Sequence, residues 1–423
     1  MKSYLSAQVT DPSNTSKGFL QVNVISLGNN FPIQNATVSI SYKGDPSNVL
    51  EKVTTNSSGQ TEQVSLSAPP IEYSLEPVEQ QPYSEYNLTV SAPGFQDRVV
   101  SGTEILAETS AIQPVVLEPE SQVFPLESPV VIPDHTLYGY YPPKIAEDEI
   151  KPVGESGEIV LSRVVVPQTV VVHDGVPSDP TASNYYVPYR DYIKNVASSE
   201  IYATWTPSAI TANVLAIMSF TLNRVYTEWY RNQGYDFTIT SSTAYDHKWI
   251  YGRNIYQNIS NIVDEIFDNY LSRPEVKQPI LTQYCDGRRV QCPGWMTQWG
   301  SCDLGEQGYS PIEILRYFYG DDMYINTAEQ ISGIPASFPG YDLNIGSSGP
   351  KVRQIQEQLN AISQVYTAIP AISVDGIYGP ATAAAVREFQ SIFGLPQTGV
   401  IDFATWYRIS HIYVAVTRIA ELA

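Results

Sequence analysis

Glu200 is the residue whose type and setting best suit proton transfer. Ile193, Val196, Ala197 and Glu200 follow the i, i+3, i+4, i+7 spacing of one helical face, so a carboxyl stands in phase with an apolar stripe. Water is scarce on such a face, and desolvation raises a carboxyl's pKa by disfavouring its charged form. A carboxyl that stays protonated near neutral pH is what a general acid requires. Two plainer arrangements fit the same spacing: a helix-end glutamate that reaches solvent, or one paired with a buried arginine such as Arg224.

Other chemistry-bearing residues are sparse. His173-Asp174 follows a valine run and precedes Gly175, which reads as the end of a strand in a turn rather than a catalytic pair. His247 is one of only 4 histidines and cannot by itself make a four-ligand metal site. Cys285, Cys292 and Cys302 could join it in a thiolate site, but the expectation is buried or idle thiols and no obligatory metal. Asp264, Glu265 and Asp268 fall on polar helix faces, where a solvated role is expected.

The stretch DYIKNVASSEIYATWTPSAITANVLAIMSFTLNRVY resembles the opening signature of the SpoIID/LytB family of peptidoglycan lytic transglycosylases. A second stretch, CPGWMTQWGS followed by GYSPIEILRYFYG, is similar to that family's downstream signature. The resemblance implies that Glu200 is the catalytic acid. It departs in one respect: the Cys/His cluster that holds zinc in many members has no cysteine around Ser241–Tyr251 here. A hydrolysing glycosidase ordinarily needs two carboxyls, whereas a lytic transglycosylase needs one, because the sugar's own 6-hydroxyl attacks C1. One strong acid candidate fits the second route better. Sugar rings stack on flat apolar faces, so Trp295, Trp299, Tyr245 and Tyr251 are expected to line a glycan groove, with Gln298 as a hydrogen-bonding partner. The polar tetrapeptide Tyr245-Asp246-His247-Lys248 is the expected additional substrate-contact segment.

The elements that must position these groups divide the chain into a multidomain α+β protein. Residues 1–113 show period-two runs (Leu20, Val22, Val24; Ala36, Val38, Ile40, Tyr42; Tyr86, Leu88, Val90) separated by turn signals, the pattern of a small β-sandwich. This part resembles transthyretin-like, carboxypeptidase-regulatory-like modules through PIQNATVSI, TTNSSGQ and YNLTVSAPGF. Residues 114–158 read as a Pro-rich acidic linker. Residues 159–335 read as a mixed α+β catalytic domain, SpoIID-like by the resemblance above. In it Thr206 and Pro207 begin an almost wholly apolar central helix that runs to about Tyr230. A further helix is expected to carry Ile255, Ile259, Ile262, Val263, Ile266, Phe267 and Tyr270 on one face.

Residues 341–423 read as a separate helical module. IGSSGPKVRQIQEQLNAI, VDGIYGPATAAAVREFQSIFGL and TGVIDFATW resemble the three-helix peptidoglycan-binding domain of cell-wall hydrolases. The order of modules is similar to that of the clostridial spore cortex-lytic enzymes. That resemblance implies a zymogen stored in the spore and activated at germination, when a subtilisin-like Csp protease removes the N-terminal pro-region. The cut is expected near Gln113, although Pro114 on its far side hinders many proteases. The implied partner is spore cortex peptidoglycan, and the implied location is the cortex and coat region.

Composition narrows the alternatives. The 423 residues carry 24 Lys+Arg against 44 Asp+Glu, a formal charge of -20, which argues against nucleic acid as the main partner. The first 120 residues hold 5 basic and 13 acidic side chains, about -8 of that charge. Three cysteines exclude a disulfide scaffold. No signal-peptide core opens the chain, and the apolar run Ala212–Leu222 is about half the length of a membrane span. Two other functions remain to weigh: an N-acetylmuramoyl-L-alanine amidase, which usually recruits zinc, and a non-catalytic peptidoglycan-binding spore protein.

Overall fold

The computed structural model describes residues 16–27, 30–120, 129–151, 163–333 and 337–417. The reading of residues 1–10, the middle and end of the expected linker (121–128 and 152–158) and the last residues of the central block (334–335) lie outside the described residues.

The alternating runs of the first block form strands because each presents one apolar edge to a common core. Strands β1 (Ser16–Ser26), β2 (Thr37–Tyr42), β3 (Asp45–Thr54), β4 (Val64–Ala68), β5 (Tyr83–Ser91), β6 (Arg98–Leu106) and β7 (Ser110–Leu117) build two sheets. A short helix, α1 (Glu72–Leu75), interrupts them. One sheet runs β7-β1-β4, with β1 parallel to β7; the other runs β3-β2-β5-β6. Leu20, Val22 and Val24 of the first sheet join Val38, Ile40, Leu88 and Val90 of the second in one core.

The linker does not begin at residue 114. Pro114–Leu117 complete strand β7, and the pairing continues through Leu117 opposite Ser26. Gln113 is fully buried there; its side-chain amide donates to the Gly252 carbonyl at 2.7 Å, and its oxygen accepts from Thr103 at 2.9 Å. Further on, β8 (Val130–Val131) adds to the second sheet, parallel to β6 at Val100 and Ser101. The rest of the connector, to residue 151, packs on the central block. A Pro-rich text without periodicity signals that no regular element forms, not that the segment is loose.

The central block holds β9 (Val165–Val166), β10 (Thr169–His173), β11 (Asn184–Pro188), helix α2 (Tyr189–Glu200), helix α3 (Pro207–Tyr226) and β12 (Ile239–Thr240). Strand β10 is central in the order β11-β10-β12, and His173 ends it before a turn, as read. Thr206 caps α3 by accepting from the Ala209 amide, with Pro207 at the first position. The expected long apolar face beginning at Ile255 is divided. Ile255 and Tyr256 form β13, which pairs antiparallel with β7 at Ile112 and Ala111, and α4 covers only Gln257–Ile266. Ile255, which shares the helical phase, is drawn into an edge pairing with the first block's sheet, and Tyr270 at the other end of the expected face falls in the strand Asn269–Ser272.

The block then continues through β14 (Asn269–Ser272), β15 (Tyr284–Cys285), β16 (Met296–Thr297), α5 (Gln298–Glu306), α6 (Pro311–Tyr319), β17 (Tyr324–Thr327) and β18 (Gln330–Ile331). Helix α6 opens on a capping box between Ser310 and Glu313. The C-terminal module is α7 (Pro350–Ser363), α8 (Pro380–Ile392) and α9 (Phe403–Thr417). The turn at Gly376 has φ +74°, a left-handed position that favours glycine, and Pro380 starts α8. Phe403 and Tyr407 of α9 pack on Phe267, and Gln60 of the first block donates to the Ile392 carbonyl at 2.6 Å. All three blocks therefore touch one another.

Two buried charge clusters brace this packing, one a single ion pair and the other a carboxylate shared by two cations. Arg253 of the central block donates to Glu104 of β6 at 2.5 Å, with both side chains out of water. Asp264 of α4 accepts from Arg190 at 3.2 Å and from Lys194 at 2.7 Å, both on α2. The expected solvated role of Asp264 is thus wrong: its polar face meets another helix, and Arg190 also donates to the Tyr407 carbonyl of α9 at 2.9 Å. Asp268 is buried too, and only Glu265 of the three is exposed.

Burial alone would lift the Asp264 carboxyl, but the charges of Lys194 and Arg190 outweigh it and hold it down at about 2. A folded value below the unfolded one stabilises above roughly pH 4 and is lost as pH falls through about 2. Asp264→Asn leaves two buried cations short of a partner and is expected to cost about 3–5 kcal/mol at pH 7. Urea melts check this, and the gap between the two proteins should close between roughly pH 4 and 2.

Candidate active site

Helix α2 ends on Glu200, whose side chain is 3% exposed. Thr136 of the connector donates to the Ser199 carbonyl through both its amide, at 3.2 Å, and its hydroxyl, at 3.1 Å. Gln298, the first residue of α5, donates to the Glu200 carbonyl at 2.9 Å. The last turn of α2, whose carbonyls would otherwise lack partners, is thereby closed and fixed.

The carboxyl itself takes two hydrogen bonds. The Lys248 amide donates to Oε1 at 2.6 Å, and the Tyr284 hydroxyl bonds Oε2. No ion pair involves Glu200 among the described residues. Arg224, the alternative partner, is engaged elsewhere: it donates to Asp246 at 2.7 Å and to both oxygens of Glu147 at 2.6 and 3.0 Å. Burial raises the Glu200 carboxyl above its usual range, against the smaller opposing effects of Lys144, the Lys248 amide and Tyr284.

Glu200 opens onto a cavity of about 170 Å³. Gly139, Tyr141 and Lys144 of the connector wall one side, and Tyr284, Asp286 and Arg289 another. Arg289 clips the connector down by donating to the carbonyls of Leu137, Tyr138 and Gly139, with its guanidinium over the rings of Tyr138 and Tyr140. A larger cavity of about 610 Å³ lies against the next stretch of connector, lined by Ile145, Glu147, Trp229, Tyr230, Tyr235 and Tyr245 among others. Size favours the larger cavity as a ligand site, but chemistry favours the smaller. Burial would lift Glu147, yet the hydrogen bonds and charge of Arg224 hold it below the usual range, so it is no proton donor.

Of the eight residues expected to contact substrate, only Gln298 lines the cavity of Glu200, while Lys248 touches the acid through its backbone amide. Tyr245 lines the larger cavity. Asp246 is a buried brace, accepting from Arg224, from the Tyr230 hydroxyl at 2.6 Å and from Thr240 at 2.7 Å. His247 is buried behind the site: Nδ1 lies 3.1 Å from the Tyr192 hydroxyl, the ring stacks on Tyr284, and Nε2 has no partner. Burial depresses its pKa, so the ring is neutral. Tyr251 stacks on Tyr185 away from the cavity. Trp295 is half-buried beside β16 and does not line it. Trp299 is core, packed on Trp205 at 5.3 Å.

Lys144, Tyr284 and Arg289 are among the cavity residues that the sequence did not disclose. Lys144 lies in text without periodicity, and Tyr284 belongs to a two-residue strand too short to show a pattern.

The expectation of idle thiols also needs correction. Cys285 and Cys292 are joined as a disulfide, and Cys302 alone is a free, buried thiol. The bond closes the loop that carries Asp286 and Arg289 to the cavity rim. Among the described residues, no group of three or more His, Cys, Asp or Glu side chains is disposed to hold a metal ion. Replacing both bonded cysteines by serine is expected to lower stability by about 2–3 kcal/mol through loop-closure entropy. Denaturant melts test it: a reductant should lower the midpoint of the parent chain and leave that of the double variant unchanged.

Residues 348–409 match the peptidoglycan binding domain family. The chain is similar to the zinc D-Ala-D-Ala carboxypeptidase of Streptomyces albus G, at 43% identity over 68 residues, or 16% of this chain. It spans 25% of that relative's length. Among solved structures it is similar to the SleB N-terminal domain, at 30% identity over 18% of this chain and 99% of that one, with a TM-score of 0.16. It is also similar to the 5-hydroxyisourate hydrolase of Klebsiella pneumoniae, at 18% identity over 24% of this chain and 92% of that one, with a TM-score of 0.17. No helix among the described residues is long and apolar enough to cross a membrane. The C-terminal helical module thus matches the peptidoglycan-binding domain family over nearly its whole described length.

Proposed function

We propose that the chain is the zymogen of a peptidoglycan lytic transglycosylase of the SpoIID/LytB type, acting on the MurNAc–GlcNAc bonds of spore cortex during germination. In module order it is similar to SleC, the clostridial spore cortex-lytic enzyme. The observation that carries this reading is Glu200: a buried, unpaired carboxyl with a raised pKa, opening onto a cavity and placed in a chain that also bears a peptidoglycan-binding domain.

The chemistry follows from one acid acting twice. Protonated Glu200 gives its proton to the glycosidic oxygen as the bond to C1 breaks. The carboxylate left behind is stabilised by the Lys248 amide and the Tyr284 hydroxyl, which already point at its two oxygens. It then takes the proton of the sugar's 6-hydroxyl as that oxygen bonds C1, which closes a 1,6-anhydro ring and restores the acid. No water enters the balance. A neutral His247 behind Tyr284 keeps further positive charge away from the oxocarbenium-like centre.

The zymogen part of the proposal has its own support. The cavity at Glu200 falls below the roughly 300–1,000 Å³ of ordinary ligand pockets, and connector residues form one of its walls. The connector is in turn tied to the sandwich, through β8 and through the His135 amide, which donates to the Tyr83 hydroxyl at 3.0 Å. Removing the sandwich as a pro-region, by a subtilisin-like Csp protease, would free that end of the wall. A cut at Gln113 requires strand β7 to open first, since the residue is buried with its side chain bonded on both sides.

Glu200→Gln should fold with a melting temperature close to that of the parent and release no anhydro-muropeptides from cortex, a loss of at least about a thousandfold. Mass spectrometry of the digest is the measurement. Reducing-end MurNAc products from the parent chain would make it a hydrolase and contradict the proposal.

A further inference from the structure

Lys144 reaches the acid's cavity from a segment outside the catalytic block. Its ammonium lines the same cavity as Glu200 and lies 5.1 Å from the centre of the Tyr284 ring, whose hydroxyl bonds the acid. It also lies 5.0 Å from the centre of the Phe220 ring and donates to the Asp246 carbonyl. The next residue is anchored as well, the Ile145 amide donating to the Ala244 carbonyl at 2.7 Å. The stem is thus fixed by backbone and the charge by rings, and the ammonium shares its cavity with two carboxylates, Glu200 and Asp286.

The surrounding charges are already committed. Asp246 and Glu147 are satisfied by Arg224, and Glu147 also by Lys151 at 2.6 Å. Lys248, the other cation near the acid, is shared with Asp174. Asp286 and Arg289, on the opposite rim, bond backbone groups of their own loop and of the connector. None of the cavity's charged groups among the described residues, Lys144, Glu200, Asp286 and Arg289, makes an ion pair, and of its two carboxylates it is the charge of Glu200 that acts on Lys144.

We infer that Lys144 is a positioning residue for the reaction at Glu200, supplying the counter-charge that the carboxylate needs once its proton has passed to the leaving oxygen. This rests on the transglycosylase reading above and adds to it that the connector is part of the working site. Burial disfavours the charged form of Lys144 while Glu200 favours it; conversely, Lys144 opposes the burial that lifts Glu200. A cut at Gln113 leaves Lys144 on the enzyme. A cut beyond residue 144 removes it.

The test is the pH profile of cortex cleavage. An acid works only while protonated, so its pKa sets the alkaline limb. Removing a nearby cation raises that pKa, and Lys144→Met should move the limb up by about one pH unit or more while lowering kcat about tenfold. Lys144→Arg keeps the charge and should restore both. A limb that stays in place in Lys144→Met, or moves down, overturns the inference and leaves Lys144 a pin for the connector. Infrared titration of the intact chain gives a reading that needs neither cleavage nor full stability: the carboxyl band lost in Glu200→Gln should titrate higher in Lys144→Met than in the parent. An unchanged band position on the pH axis overturns the inference whatever the reaction proves to be, whereas a shifted band without anhydro products overturns the transglycosylase reading and leaves only the coupling of Lys144 to Glu200 standing.

Discussion

A carboxyl removed from water with no ion-pair partner is the constraint around which the central block is arranged. Glu200 ends a helix that is buried almost all round, and both of its oxygens meet neutral donors rather than cations. That arrangement requires Arg224, buried on the adjacent helix, to be satisfied elsewhere, and Asp246 and Glu147 do this. Asp246 is therefore important without touching the cavity: it holds Arg224, Tyr230 and Thr240 in one network and places the Lys248 amide two residues on.

The three blocks share one core and are not beads on a string. A strand of the central block completes a sheet of the first, and the connector returns to extend the other sheet before crossing the acid's cavity. Buried Glu104 and Arg253 lock the first interface, and Arg190, Lys194 and Asp264 lock α2 between α4 and α9. An element that positions the acid is thus also the element on which the peptidoglycan-binding module rests. Anything that loosens the sandwich acts on the cavity wall through a few residues of connector.

How much of this was legible in the sequence depends on how local the signal was. The phase of Glu200 along α2, the cap at Thr206 and the strands of the first block come from short-range periodicity, and they stand in the structure. Asp264 was misread because a polar helix face is the same in sequence whether it meets water or two buried cations. Ile255 was misread because its helical phase is outweighed by an open strand edge more than a hundred residues away. Trp299 and Tyr251 share the ring chemistry of a sugar platform, but packing decides which rings are inside. Lys144 left no trace, since the Pro-rich connector has no period and its partners are all distant. Cys285 and Cys292 sit close enough to bond, and only the turn between them brings the two sulfurs together.

The most direct test of the account is a crystal of the Glu200→Gln chain, activated by proteolysis and grown with a cortex-derived tetrasaccharide. The account predicts a glycosidic oxygen within hydrogen-bond distance of the side chain at position 200, with Gly139–Lys144 displaced to widen the cavity. Saccharide seated only in the larger cavity beside Trp229 and Tyr235, with position 200 still walled off, would contradict it.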